Sequence, residues 1–219
     1  MSMSIRIILA DDHKIVCDSL KPLLNGQPNM EIVGVAENGR EAVKLVQKLN
    51  PDVVIMDITM PGLNGIDATH QIIAKFPETK VIALSIHSDK RFIMEILKAG
   101  AFGYLTKTCS VEELINAVQI VAKGKKYLSA EISDTVIKES ITQLKGANFQ
   151  TPSFPTERER EVLQLIAEGK TIKQIASELF LSIKTIHTHR QKIMKKLNLL
   201  NDAELIKYCI REGLVPLDN

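Results

Sequence analysis

Three aspartates, a serine and a lysine carry the chemistry of this chain: Asp11, Asp12, Asp57, Ser85 and Lys107. Each stands at or just after the C-terminal end of a short apolar run, at 5–10, 53–56, 81–84 and 102–105. Such near-continuous apolar runs read as strands buried on both faces of a parallel sheet. Ligands of open α/β sheets bind beyond the carboxyl ends of the strands. The five side chains can therefore converge on one small site with three carboxylates, a hydroxyl and an ammonium. Clustered carboxylates repel one another, and a hard divalent cation such as Mg²⁺ relieves the repulsion. A carboxylate is a nucleophile that needs no deprotonation at neutral pH. Asp57 beside such a cation, with Ser85 and Lys107 nearby, is equipped to accept a phosphoryl group. The plainer alternative is an acidic, solvated sheet rim with an internal lysine salt bridge.

The elements that must position these residues alternate in type. Strand patterns at 5–10, 31–36, 53–57, 81–85 and 102–106 are separated by helical patterns at 14–25, 39–48, 65–75, 89–99 and 111–123. This alternation predicts a doubly wound, five-stranded parallel sheet over residues 1–125. Gly26, Pro28, Pro51, Pro61, Gly62, Pro77, Gly100 and Gly124 fall between elements as breakers should. Residues 126–154 are expected to hold one further helix at 130–144, with Ile132, Val136, Ile137, Ile141 and Leu144 apolar, and then a flexible linker rich in Gly, Asn, Ser and Pro.

After the linker no strand pattern returns, and 155–219 reads as a small all-α domain of four short helices. Thr156 with Glu159, and Thr171 with Gln174, form capping-box pairs at two helix starts. Gly169 suits the end of the first helix and Ser182 the cap of the third. Net charge is only +2, and all of the excess lies in 154–219, with 11 basic and nine acidic side chains. No Asp or Glu occurs from 179 through 201, which holds Lys184, Arg190, Lys192, Lys195 and Lys196. A local basic stripe suggests a polyanion as partner. At about 100° per residue, Ile186, Ile193 and Leu197 share one face, flanked by Ile183 and Met194. Lys184, Thr188, Gln191 and Lys195 lie opposite, with His187 at the edge. A helix with apolar anchors behind and long polar donors in front can enter a major groove. The alternative is a solvated amphipathic helix used for protein contact.

The chain has 219 residues, enough for two domains, and its 45% hydrophobic content supports real cores. No apolar run approaches the ~20 residues of a membrane span, and no secretory signal opens the sequence. A cytoplasmic protein without membrane association is expected. Cys17, Cys109 and Cys209 are scattered singly, which fits neither a metal site nor a disulfide framework. His187 and His189, two residues apart on a helix, are poorly placed to share zinc.

Residues 4–123 resemble the receiver domain of bacterial response regulators. The resemblance rests on Leu9-Ala-Asp-Asp-His13, Val54-Ile-Met-Asp-Ile-Thr-Met-Pro-Gly62, Ala83-Leu-Ser85 and Ala101-Phe-Gly-Tyr-Leu-Thr-Lys107. It implies a flavodoxin-like fold with Asp57 as phosphoacceptor. It also implies Mg²⁺ held by Asp12, Asp57 and the Thr59 carbonyl, with Asp11 helping through water. Ser85 and Lys107 would contact the phosphoryl oxygens, and Tyr104 would be the switch aromatic. Thr59 and His87 would flank the line of attack and tune hydrolysis. Family receivers often carry Pro after the lysine; Thr108 stands there, which leaves the geometry of that peptide bond open.

Residues 156–198 resemble the LuxR-type helix-turn-helix, through Thr156-Glu-Arg-Glu-Arg-Glu-Val-Leu163, Leu181-Ser-Ile-Lys-Thr-Ile-His-Thr-His189 and Lys196-Leu-Asn198. Pro155 stands where the family often has Leu, and Gln174 where it often has Glu. The family's base readers map to His187, Thr188 and Gln191, and Lys184, Thr185, Lys192 and Lys195 complete the expected DNA contacts. Together the two halves are similar to a response regulator of the NarL/FixJ family. That resemblance implies a cytosolic transcription factor rather than an enzyme. A sensor histidine kinase would supply the phosphoryl group, a homodimer would form on phosphorylation, and double-stranded DNA and RNA polymerase would be partners. Two rivals remain at the level of sequence. One is a regulator that acts without phosphorylation, through DNA or protein contacts. The other is an aspartyl-nucleophile phosphatase, which would usually need a second acid close after the nucleophile, where Thr59 stands.

Overall fold

A computed structural model describes residues 4–86, 90–144, 155–211 and 214–215. Its first strands and helices alternate in the expected order. They are β1 (Ile5–Ala10), α1 (Lys14–Asn25), β2 (Met30–Ala36), α2 (Gly39–Leu49), β3 (Val53–Met56), α3 (Gly65–Lys75), β4 (Lys80–Ser85), α4 (Lys90–Lys98), β5 (Gly103–Thr106) and α5 (Val111–Ala122). A two-residue strand, β6 (Tyr127–Leu128), and α6 (Ala130–Leu144) follow. The sheet is parallel throughout, in the order β2-β1-β3-β4-β5-β6. The five expected strands are thus joined by a sixth at the edge, too short to leave a periodic signal in the sequence.

Period-two alternation divides the core. Ile7, Leu9, Val53, Ile55, Ile82 and Leu84 point to the face covered by α1 and α5, where Leu114, Ala117, Val118 and Val121 meet them. Ile8, Ala10, Val54, Met56 and Val81 point to the opposite face, against Ala42 and Val46 of α2 and Ala68 and Ile72 of α3. Covering both faces explains why the strands are apolar at every position. Side-chain caps start the helices where the sequence offers them: Asn38 accepts from the Glu41 N–H, Asn64 from Asp67 and Ser110 from Glu113.

Residues 127–144 belong with this sheet. Ile132 is fully buried in a cluster with Ala83, Phe92, Ile93, Ile96 and Tyr104, and Val136 packs against it. Ile137, expected on the apolar face of α6, is 55% exposed, while Ile132 and Val136 face the cluster shared with α4. The side chains of Ile141 and Leu144 lie outside the described ones, as does the linker over 145–154.

The chain divides into two compact units, 1–147 and 148–219. The second holds the four expected helices: α7 (Glu157–Ala167), α8 (Ile172–Glu178), α9 (Ile183–Leu197) and α10 (Asp202–Arg211). Both capping boxes form, Thr156 with Glu159 and Thr171 with Gln174, and Ser182 caps α9 through the Thr185 N–H. Val162, Leu163, Leu165, Ile175, Ile186, Ile193, Leu205 and Cys209 make its core. Among the described residues no helix is long and apolar enough to cross a membrane.

Candidate phosphoacceptor site and nucleic-acid interface

The sheet brings the acidic residues together at its carboxyl edge. The Asp57 N–H donates to Ala10 O (2.8 Å) and the Asp11 N–H to Ala36 O (3.0 Å), which fixes both residues at the ends of β3 and β1. The Lys107 N–H donates to Ser85 O (2.8 Å), which sets Lys107 beside the end of β4. Asp11, Asp57 and Ser85 are buried, Thr59 is half-buried, and Tyr104 is fully buried. Lys107 Nζ lies 2.7 Å from Asp11 Oδ2 and 2.7 Å from Asp57 Oδ2. His87 lies outside the described residues. No cis peptide bond occurs among the described residues, so Lys107–Thr108 is trans.

Electrostatics sharpen the site. Burial drives the Asp57 carboxyl up to about 6, against the opposing pull of Lys107. Burial by itself would lower the Lys107 ammonium, but Asp57 and Asp11 outweigh it and hold it above its ordinary value. A buried carboxylate that resists ionisation, with one ammonium shared between two acids, is short of positive charge.

The donor set fits a hard divalent cation. Ligand atoms of Asp11, Asp12, His13 and Asp57 all lie within 4.8 Å of one another. Asp12 Oδ1 is buried, and its one close polar neighbour among the described residues is His13 Nδ1 at 3.0 Å. Three carboxylates share one lysine ammonium and one imidazole, a donor set that a hard cation would complete.

Two residues of the site carry no assigned role in the sequence reading. His13 is 58% exposed, with Nδ1 3.1 Å from Asp11 Oδ1 and 3.0 Å from Asp12 Oδ1. Its only sequence signal is its place after the two aspartates. Gly65 opens α3, and a Cβ built on it would fall 1.9 Å from Asp57 O. Its N–H donates to Ile58 O (2.8 Å), so the helix start is pressed against the backbone of the acidic strand end. The Asn64 cap signalled this helix start; the close approach has no signature in one dimension.

On α9 the described side chains separate into a buried and an open face. Ile186 and Ile193 are buried, and Met194 and Leu197 are packed behind them. Lys184, His187, Thr188, Gln191, Lys192 and Lys195 are exposed and Thr185 is half-buried. Ile183, expected to flank the core, is instead 49% exposed: it is the first residue of the helix, beyond the reach of the core. Two cations of the basic stripe are committed within the unit. Lys196 pairs with Glu159 at 2.9 Å, and Arg190 pairs with Asp202. Burial would raise the Glu159 carboxyl, but Lys196 and the Thr156 N–H outweigh it and lower it. Thr185 Oγ1 lies 2.8 Å from Ser182 Oγ, and Thr188 Oγ1 donates to Lys184 O (3.0 Å).

Comparison with known proteins assigns each half of the chain to a domain family. Residues 7–119 match the response regulator receiver domain and residues 156–209 match the bacterial regulatory proteins of the luxR family. The transcriptional regulatory protein DegU of Brevibacillus brevis is 37% identical over 226 residues, covering 97% of this chain and 96% of its own length. A structure of the Salmonella typhimurium response regulator RcsB superposes with a TM-score of 0.67 at 27% identity, over 98% of this chain and 100% of that one. RcsB in complex with DNA superposes with a TM-score of 0.58 at 29% identity, over 94% and 97%. With a receiver sheet in its first unit and a LuxR-type helix-turn-helix in its second, the chain belongs to the two-component response regulators of the NarL/FixJ family.

Proposed function

We propose that this protein is a transcription regulator switched by phosphorylation of Asp57. The observation that carries this reading is the buried Asp57 carboxylate beside Asp11 and Asp12, bridged to Asp11 by Lys107 Nζ. Asp12, Asp57 and the Thr59 carbonyl would hold Mg²⁺, with Asp11 assisting through water. When bound, the ion supplies positive charge to the phosphoryl oxygens during transfer. Asp57 is the nucleophile. Lys107 neutralises charge growing on the transferred group, and Ser85, at the end of the neighbouring strand, donates a hydrogen bond to it. Tyr104 changes its packing with the state of the site, while Thr59 and His87 set how readily water reaches the acyl phosphate. The phosphodonor is a sensor histidine kinase, or a small phosphoanhydride or phosphoramidate.

The output is DNA binding. RcsB, a relative by structure, is known in complex with DNA, and α9 offers an open polar face with its apolar face in the core. His187, Thr188 and Gln191 read bases, while Lys184, Thr185, Lys192 and Lys195 contact phosphates. Phosphorylation favours a homodimer, which presents two helices to two half-sites and positions RNA polymerase nearby. No substrate-turnover function is assigned, since the phosphoryl group ends on the protein itself and leaves only by slow hydrolysis.

Labelling with a small phosphodonor and Mg²⁺ tests the phosphoacceptor. Wild type forms an acid-labile phosphoprotein, while Asp57→Ala forms none and Asp12→Ala almost none. Undiminished labelling of Asp57→Ala would refute the assignment, and full labelling of wild type under chelator would refute the metal's role.

A further inference from the structure

Tyr104 is enclosed from two directions. Part of its surroundings belongs to the sheet and its helices, including Ile58, Ala83 and Ile96. The rest comes from the segment after α5. Ile132 of α6 is fully buried in the same cluster, and Leu128 and Val136 pack against it. The backbone ties this segment to the same residue. Tyr104 pairs with Leu128 in the β5–β6 register, Tyr104 O accepts from the Ser129 N–H (3.3 Å), and Ser129 O accepts from the Ser133 N–H (2.9 Å) in the first turn of α6. Helix α6 also packs on α4, whose Phe92, Ile93 and Ile96 line the same cluster. Along the chain, α6 is the last described element before the linker to the second unit.

A fully buried ring cannot change rotamer unless a neighbour yields, because close-packed interiors shift between discrete arrangements rather than deform smoothly. Ala83 of this cluster belongs to a central strand and Ile93 and Ile96 to α4, a helix of the strand–helix alternation; Ile132 is instead borne by α6, which follows that alternation and leaves Ile137 open to solvent.

We propose that α6 is a moving part of the switch: Ile132 closes the pocket around Tyr104, and a change of the ring driven from Asp57 displaces α6 and so carries the signal into the linker. This rests on the reading of Asp57 as the phosphoacceptor. Coupling runs both ways, as linkage requires: loosening α6 biases the ring, and moving the ring loosens α6.

The test uses the full-length chain, with beryllofluoride and Mg²⁺ as the phosphoryl mimic. Occupancy of Asp57 is followed by ¹⁹F NMR and backbone opening over 126–144 by hydrogen–deuterium exchange. In wild type, saturation by the mimic accelerates exchange in the first turns of α6 by about fivefold or more. Ile132→Ala shows that faster exchange without the mimic, and its ratio of DNA affinity with and without the mimic shrinks by about fivefold or more. Ile132→Val, which keeps most of the side chain and the fold, moves both readouts in the same direction by less. At saturating mimic, Asp57 is fully occupied in both variants, so the two readouts are compared at equal occupancy. If the mimic saturates Asp57 in wild type and exchange over 126–144 does not change, the inference is wrong while the phosphoacceptor reading stands. It is equally wrong if both variants keep the wild-type affinity ratio. If the mimic does not bind at Asp57, the phosphoacceptor reading itself fails and takes the inference with it.

Discussion

Lys107 is the residue on which the site balances. Its Nζ bridges Asp11 and Asp57, yet Asp57 still sits at about 6, above its ordinary 3.8, because burial outweighs the attraction. The folded chain therefore holds this proton more tightly than the unfolded chain. The penalty on folding is complete above about pH 6 and disappears as the pH falls toward 3.8. Asp57→Asn, which removes the buried charge, should stabilise the metal-free protein at pH 7.5 by on the order of 2 kcal/mol, with the gain vanishing near pH 4; chemical denaturation at the two pH values measures it. The same value sets the cation's pH dependence. Mg²⁺ requires the carboxylate form, so its apparent affinity should be flat above about pH 7 and fall toward tenfold per pH unit below about pH 6, as calorimetric titration would show. Gly65 makes a separate prediction. With Asp57 O only 1.9 Å from the place of a Cβ, Gly65→Ala must push the backbone of the acidic strand end. Overpacking of this kind costs about 1–3 kcal/mol, and phosphodonor labelling should slow along with it. Labelling at the wild-type rate would show that the close approach does not position Asp57. The meeting of Asp11, Asp57 and Lys107 was legible in the sequence because each stands at or just after a strand end, and strand ends share one edge of a parallel sheet. The Gly65 contact was not, since it depends on how α3 folds back over β3.

At the scale of an element, α9 shows which part of a basic stripe is available to a partner. Lys196 and Arg190 hold Glu159 and Asp202, whereas Lys184, Lys192 and Lys195 are exposed with no ion pair among the described residues. Their effects on mutation should therefore separate. Lys196→Ala should reduce stability with little change in DNA affinity. Lys195→Ala should weaken specific and scrambled duplexes alike and lower the salt slope by about one unit. Gln191→Ala should cost about 1–3 kcal/mol on the specific site and relax preference at one base pair. Anisotropy titrations at several salt concentrations distinguish the three; equal loss on both duplexes with every base preference kept would remove Gln191 from the readers. Periodicity identified the buried Ile186 and Ile193 and the open polar face. It misplaced Ile183, because a helical wheel has no ends and Ile183 is the first residue of a real helix. The ion pairs of Lys196 and Arg190 join residues 37 and 12 positions apart, which charge counting along a stripe does not register.

For the whole molecule, the proposed function requires that one phosphoryl group on Asp57 change an interaction made by the other unit. The group adds a charge of about −1.5 to −2. Moving a two-state protein from 1:99 to 99:1 takes about 5.5 kcal/mol of differential stabilisation, which new bonds at Lys107 and Ser85 can share with dimer formation. A dimer with two-fold symmetry should read an inverted repeat, because operator symmetry mirrors protein symmetry. Sedimentation with beryllofluoride should show the monomer giving way to a dimer. In the sequence the last strand pattern ends at 106 and a capping box opens at Thr156, while the structure divides into units 1–147 and 148–219. The attachment of 127–144 to the sheet was not legible there, because a two-residue strand has no period, and among the described side chains of α6 only Ile132 and Val136 join the cluster around Tyr104. The central claim is that the state of Asp57 governs DNA binding, and one titration tests it most directly: full-length wild type and Asp57→Ala on the same specific duplex, with and without beryllofluoride and Mg²⁺. The account predicts that the mimic tightens wild-type binding by about tenfold or more and leaves Asp57→Ala unchanged. Equal wild-type affinity in both conditions, with the mimic bound at Asp57, would contradict it.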